Sequence, residues 1–135
     1  MAGELETVDV EGWQAFILRE TIEPMLNSEL PGSVHLLPLF DAYVVGIGRG
    51  EEIETLLPGP HQRLVYRPQG WISAVVLVDG CIQGIWEYQA QRTPTRLKVR
   101  MFSPPAASIR KAIEAEGERL GAFLNQEIAI DYEDL

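Results

Sequence analysis

The chain has 135 residues, 46% of them hydrophobic, and a formal net charge of −9. That size suits one domain with one real core, and so acidic a total excludes tight nonspecific binding to DNA by the whole surface. One cysteine, Cys81, excludes an internal disulfide and a cysteine-based zinc site, and no stretch approaches the roughly 18 apolar residues of a membrane span.

Glu4 to Val10 alternates apolar and acidic residues, and Trp13 to Leu18 forms a second apolar run after Glu11-Gly12, which predicts a hairpin. Arg19 to Leu26 predicts a short helix, limited by Pro24 to its first turns. Val34 to Phe40 predicts a short strand and then an irregular turn at Pro38, with Asp41 capping the next turn of the chain. Glu51 to Leu57 predicts another short helix, ended by Pro58-Gly59-Pro60. Ile72 to Val78 is a β-branched run, and Asp79-Gly80 suits a type I′ turn, in which both central residues have positive φ. Cys81 to Gln91 is the return strand, Arg92-Thr93-Pro94-Thr95 the next turn, and Arg96 to Phe102 the third strand of an antiparallel meander. On that strand Leu97, Val99 and Met101 point inward. Ser103-Pro104 reads as the cap and first residue of a long helix, about 104–124. Ile109, Ala112, Ile113, Leu120, Phe123 and Leu124 would form its apolar face, and Asn125 its end. Ile128 to Tyr132 predicts a last strand. The sum is one α+β domain over 1–135: an antiparallel sheet curled toward a small barrel, one long C-terminal helix and short helices.

Charge is placed unevenly. Residues 1–60 hold eleven acids against Arg19 and Arg49, and residues 112–135 hold seven acids against Arg119. Residues 61–111 hold two acids against eight bases, so the middle is +6 and the flanks together are −15. Such asymmetry points to a polyanion or an acidic partner, or to halves that fold together and pair their charges. Period-two spacing sets Arg96, Lys98 and Arg100 on one face of a strand, with Arg92 just before it. Like charges in a row repel, so neighbouring acids or a phosphate backbone must compensate them. These four are the candidate nucleic-acid contacts. Trp71, Trp86 and Tyr88 lie near in sequence as candidate stacking platforms, although core filling is the expected role of the two tryptophans.

Other chemistry is thinly represented. Gly46-Ile47-Gly48-Arg49-Gly50 lacks the spacing of a phosphate loop and reads as a glycine-rich turn. His35 sits in an apolar run, as a hydrogen-bonded core or boundary residue. His61 follows a proline turn and is expected to be exposed. Neither has metal-site spacing, so no metal and no cofactor are expected. Cys81 starts a strand as a small packed residue, and no nucleophile elbow is present.

Three ordered segments carry a family resemblance. They are Leu36-Leu37-Pro38-Leu39-Phe40-Asp41-Ala42-Tyr43-Val44-Val45-Gly46, then Trp71 to Gly80 running on to Gly84-Ile85-Trp86, and last Ala115-Glu116 through Leu120 to Phe123-Leu124. Together, over roughly residues 5–125, the chain resembles the C-terminal part of the winged helix DNA-binding domain-containing family. That family includes bacterial DNA glycosylases excising alkylated or crosslinked bases. The resemblance implies a β-barrel-like domain preceded by tandem winged helices, and association with DNA. Glycosylase members use a Gln-x-Gln motif in an N-terminal winged helix. Gln89-Ala90-Gln91 mimics that motif, but it lies on the meander strand, so no catalytic residue is assigned. The expectation is a non-catalytic, cytoplasmic domain that supports DNA engagement by winged helices, DNA itself being a weak, salt-dependent partner. A structural or protein-interaction module, a homodimer included, is the alternative. A small glycosylase using Gln89 and Gln91 is the third.

Overall fold

The structure is a computed structural model that describes residues 4–29, 32–48, 51–91 and 93–135, with Glu51 and Glu52 described in backbone only. It divides into two compact units, Met1–Pro31 and Gly32–Leu135.

The first unit is the expected hairpin, β1 (Leu5–Val10) and β2 (Trp13–Leu18), followed by helix α1 (Arg19–Leu26). Register runs from Val10↔Trp13 to Leu5↔Leu18. Glu11 and Gly12 both have positive φ, 52° and 96°, as a two-residue turn with right-handed strand twist requires. The Asp9 carboxylate accepts from Gly12 N–H at 3.1 Å. Pro24 lies inside α1, where its missing N–H removes only one backbone bond, and the helix ends two residues later. None of residues 4–29 is buried.

The second unit is built on a mixed five-stranded sheet, curled into a half-barrel. Its strands, in spatial order, are β3 (Val34–Leu37), β4 (Val75–Val78), β5 (Cys81–Gln89), β6 (Thr95–Met101) and β7 (Ile128–Tyr132). The meander β4-β5-β6 is antiparallel as predicted, and Asp79 and Gly80 turn it with φ of 49° and 82°. The all-antiparallel expectation is corrected at β7, which pairs parallel to β6 from Thr95↔Ile128 to Val99↔Tyr132. The physical reason is the helix α4 (Ala107–Leu124) between them: it carries the chain back along the sheet, so the next strand starts from the same end.

Two apolar clusters sandwich the sheet. On one face Val76, Val78 and Val99 pack against Ile113 of α4. On the other, Val75, Leu77, Ile82 and Ile85 meet Val44, Ile53, Leu57 and Val65 from short helical segments. Those segments are α2 (Ala42–Ile47), a 3-10 turn over Glu51–Thr55 and α3 (Gly59–Val65). Fully burying each such side chain is worth about 1.5–3 kcal/mol. A β-bulge at Gln83, between the pairs Leu77↔Ile82 and Val76↔Gly84, puts both Ile82 and Ile85 on the short-helix face.

Local chemistry explains the boundaries. Asp41 caps α2, accepting from Tyr43 N–H at 2.9 Å, as expected. Helix α3 was hidden by Pro58-Gly59-Pro60, which reads as a terminator. In the fold Pro60 occupies the first turn, where a proline costs nothing, and the Glu54 carboxylate accepts from Gly59 N–H at 3.0 Å. The long helix starts at Ala107 and not at Pro104, and Ser103 is not its cap. Pro104 precedes Pro105, and a residue before proline is pushed out of the helical region. Asn125 ends the helix in the left-handed conformation, φ 53° and ψ 47°. Phe123, assigned to the apolar face, is 85% exposed. The seam is made instead by Gly117 and Gly121. An added Cβ would lie 2.9 Å from Ile130 Cδ1 at Gly117 and 2.8 Å from Gln126 O at Gly121. The helix therefore lies directly on β7. No helix among the described residues is long and apolar enough to cross a membrane.

Candidate nucleic-acid interface

The short helices cover only part of their face of the sheet. Alternation puts Glu87 and Gln89 of β5, Arg96, Lys98 and Arg100 of β6, and Asp131 of β7 on that same face, beyond the apolar cluster. The result is an open polar band.

Each described base of the stripe holds a carboxylate there. Arg96 bonds Asp131 at 2.6 Å, Lys98 bonds Glu133 at 2.6 Å, and Arg100 bonds Glu87 at 2.7 Å. Each partner lies two residues along from the one directly opposite, since Arg96 faces Ala129, Lys98 faces Asp131 and Arg100 faces Ile85. All six side chains are 30–53% exposed, so each pair is worth about 0–1 kcal/mol and is exchangeable. Arg92 lies outside the described residues.

Beside this band, at the seam between α3 and the sheet, is a cavity of about 190 Å³ walled by Arg63, Leu64, Arg67, Ser73, Ile85, Glu87 and Arg100. Arg63 sits in the last turn of α3. Arg67 follows it in extended backbone, φ −83° and ψ 163°, and its N–H donates to Trp71 O at 2.8 Å. Ser73, which is buried, donates its hydroxyl to Leu64 O at 2.8 Å and ties the end of α3 to the approach of β4. Neither Arg63 nor Arg67 has an ion pair among the described residues, unlike the β6 stripe. Sequence reasoning counted both within the basic middle and did not single them out. No local pattern signals them, because Arg63 ends a missed helix and Arg67 lies in extended backbone beyond it.

The aromatic candidates separate. Trp86 is half-buried against the α4-side cluster and donates its indole N–H to Leu37 O at 2.9 Å. Trp71 is not core: it is 44% exposed and meets Phe40, itself 47% exposed, edge to face at 5.2 Å. Tyr88 is exposed and donates to Gln126 Oε1 at 2.9 Å. Gln89 and Gln91 border an open depression at the end of β5 with Tyr88 and Ala90.

The histidines are far from any shared chemistry. His35 is exposed, a correction to its expected core or boundary place, with Nδ1 3.9 Å from Glu116. His61 is half-buried, a correction to its expected exposure, because its ring stacks on Phe102 at 4.1 Å and 5°. Among the described residues, no three His, Cys, Asp or Glu side chains gather as a metal-holding group. Of the glycine-rich segment 46–50, Gly46 is helical and Gly48 ends α2 with φ 82°, while Arg49 and Gly50 lie outside the described residues. Tyr43 and Tyr132 are perturbed phenols. Partial burial first, then Cys81, raises Tyr43, whose hydroxyl donates to Gly80 O at 2.7 Å. Burial and then Glu114 raise Tyr132, against a lowering by Arg110, which lies over its ring at 4.6 Å.

Comparison with known proteins agrees with this architecture. The chain is 38% identical over 119 residues to an interstrand DNA cross-link repair glycosylase of Streptomyces sahachiroi, covering 83% of this chain and 32% of that protein. The solved structure of Streptomyces sahachiroi DNA glycosylase AlkZ superposes with a TM-score of 0.82 at 33% identity, covering 96% of this chain and 34% of that one. The chain thus spans about a third of the length of the relatives it matches. The profile of the family described as DNA glycosylase AlkZ-like matches residues 1–123, and the chain belongs to that family.

Proposed function

We propose that this chain is a non-catalytic, DNA-associated domain that supports DNA binding by a winged-helix, DNA glycosylase-like protein. The observation that carries the reading is the superposition of nearly the whole chain on one third of a DNA glycosylase. The relative's name supplies the ligand class: DNA, in the context of cross-link repair. With a net charge of −9, attraction to phosphates has to be local, and the +6 middle of the chain is where it would act.

Arg96, Lys98, Arg100 and Arg92 are the proposed backbone contacts. The first three would exchange a carboxylate for a phosphate, which makes binding weak. Three to four such contacts give a slope of about −3 to −4 in log affinity against log salt on duplex DNA. Fluorescence anisotropy with a labelled duplex across a salt series measures it. Binding at low salt that fades steeply supports the reading, and no binding at low salt overturns it.

The non-catalytic half has its own test. Gln89 and Gln91 sit at the open end of a strand, in a depression that does not enclose a base. Incubation with alkylated or crosslinked DNA is expected to release no base. Release by this chain alone would move Gln89 and Gln91 into an active site.

A further inference from the structure

We propose that the cavity between α3 and the sheet is a phosphate seat, in which Arg63, Arg67 and Arg100 clasp one phosphodiester group of the DNA backbone; this rests on the DNA-associated reading above. Three arginines and one acid, Glu87, line a single small space, and no other acid among the described residues lines it. Guanidinium forks match phosphate oxygens two at a time. Arg100 gives one N–H to Glu87, an exposed partner that a phosphate can displace.

Size selects the group. A volume of 190 Å³ amounts to roughly six waters, room for a phosphate and part of its shell. It lies below the ~300–1,000 Å³ of ordinary small-molecule pockets, and it opens to solvent, as a seat for a group carried on a long polymer must. The lower wall is rigid, because Ile85 is packed in the core and Ser73 is buried and bonded to Leu64 O. The upper wall is set by the tight loop that returns Trp71 O to Arg67 N–H. Two arginines with no ion pair among the described residues thus line one anion-sized space, beside a third whose acid is exchangeable.

The test uses the full chain. A duplex of 12 base pairs and inorganic phosphate are titrated separately, reading DNA affinity against salt and the arginine Nε–H signals by NMR. Phosphate is expected to shift Arg63, Arg67 and Arg100 together and to leave Arg119 in place. In Arg63→Gln/Arg67→Gln the salt slope on DNA is expected to fall by about 2, one per charge removed. Both residues are exposed, and unchanged thermal unfolding verifies the fold. Glu87→Gln removes the one negative wall and is expected to tighten DNA binding about fivefold, one charge at ~4 Å in water. A purely structural pair would show no tightening. If DNA binds and the double variant keeps the full slope, the seat is overturned and the wider reading stands. If phosphate shifts the three arginines but DNA does not bind, the seat stands as a free-phosphate site and the DNA reading falls. If neither binds, both fall.

Discussion

The hairpin unit and the sheet unit obey the same strand alternation, yet they end with opposite burial. In β1 and β2 the alternate residues Val8, Ala15 and Ile17 are only half covered, while Phe16 is 76% exposed and Trp13 42%. In β4 both faces are closed, and in β6 the face toward α4 is, with Val75, Val76, Leu97 and Val99 at 0%. Alternation decides which way a side chain points. Only a second layer decides whether it is buried, and the described residues of the first unit supply none of their own. A two-stranded ribbon with one short helix is marginal alone, whereas five strands between two helical layers are not.

The comparison makes graded predictions. The largest effect is expected at Ile113→Ala, which empties the contact between α4 and the sheet and should cost about 2–5 kcal/mol in urea unfolding. Next comes Gly121→Val, which drives a side chain into Gln126 O and Ile128 and should cost about 1–3 kcal/mol. A cost near zero would mean that the helix does not rest on β7. Asp41→Ala removes the cap of α2 and should cost about 1 kcal/mol. Smallest is Phe16→Ser, expected within about 0.5 kcal/mol despite deleting a large apolar side chain. A loss as large as that of Ile113→Ala would show that the hairpin face is covered in solution.

Alkaline pH separates the units in another way, because the second holds the perturbed phenols of Tyr43 and Tyr132. A phenol with a raised folded pKa holds its proton more tightly when folded. That stabilisation is complete below the ordinary value of 10.0 and is lost as pH climbs through the raised one. Stability should therefore fall above about pH 10, and Tyr43→Phe should blunt the fall. An identical alkaline profile in the variant would remove Tyr43 as a contributor.

Where the sequence was legible, the information was local. The Glu11-Gly12 and Asp79-Gly80 turns, the Asp41 cap and the Asn125 stop each depend on a few adjacent residues, and each stands where its own chemistry put it. The alternation of Arg96, Lys98 and Arg100 was equally readable. Their partners were not, because Asp131 and Glu133 come to β6 only after α4 has returned the chain in parallel. The helix α3 was lost to prolines that end one element and begin another. With it went Arg63 and Arg67, whose interest lies in a wall they share with Arg100 of a distant strand.

The bulge at Gln83 carries a consequence for how this surface can change. The turn at Asp79-Gly80 sets the phase of β5, and the extra residue resets it, so Glu87 and Gln89 share a face with the stripe by count and not by character. Losing that one codon would leave every later side chain of the strand intact in kind and reversed in direction. Trp86 and Tyr88 would turn to the polar band, and Glu87 toward α4. A single deletion can thus exchange the whole palette offered to a ligand on this strand, an alteration beyond the reach of any one substitution.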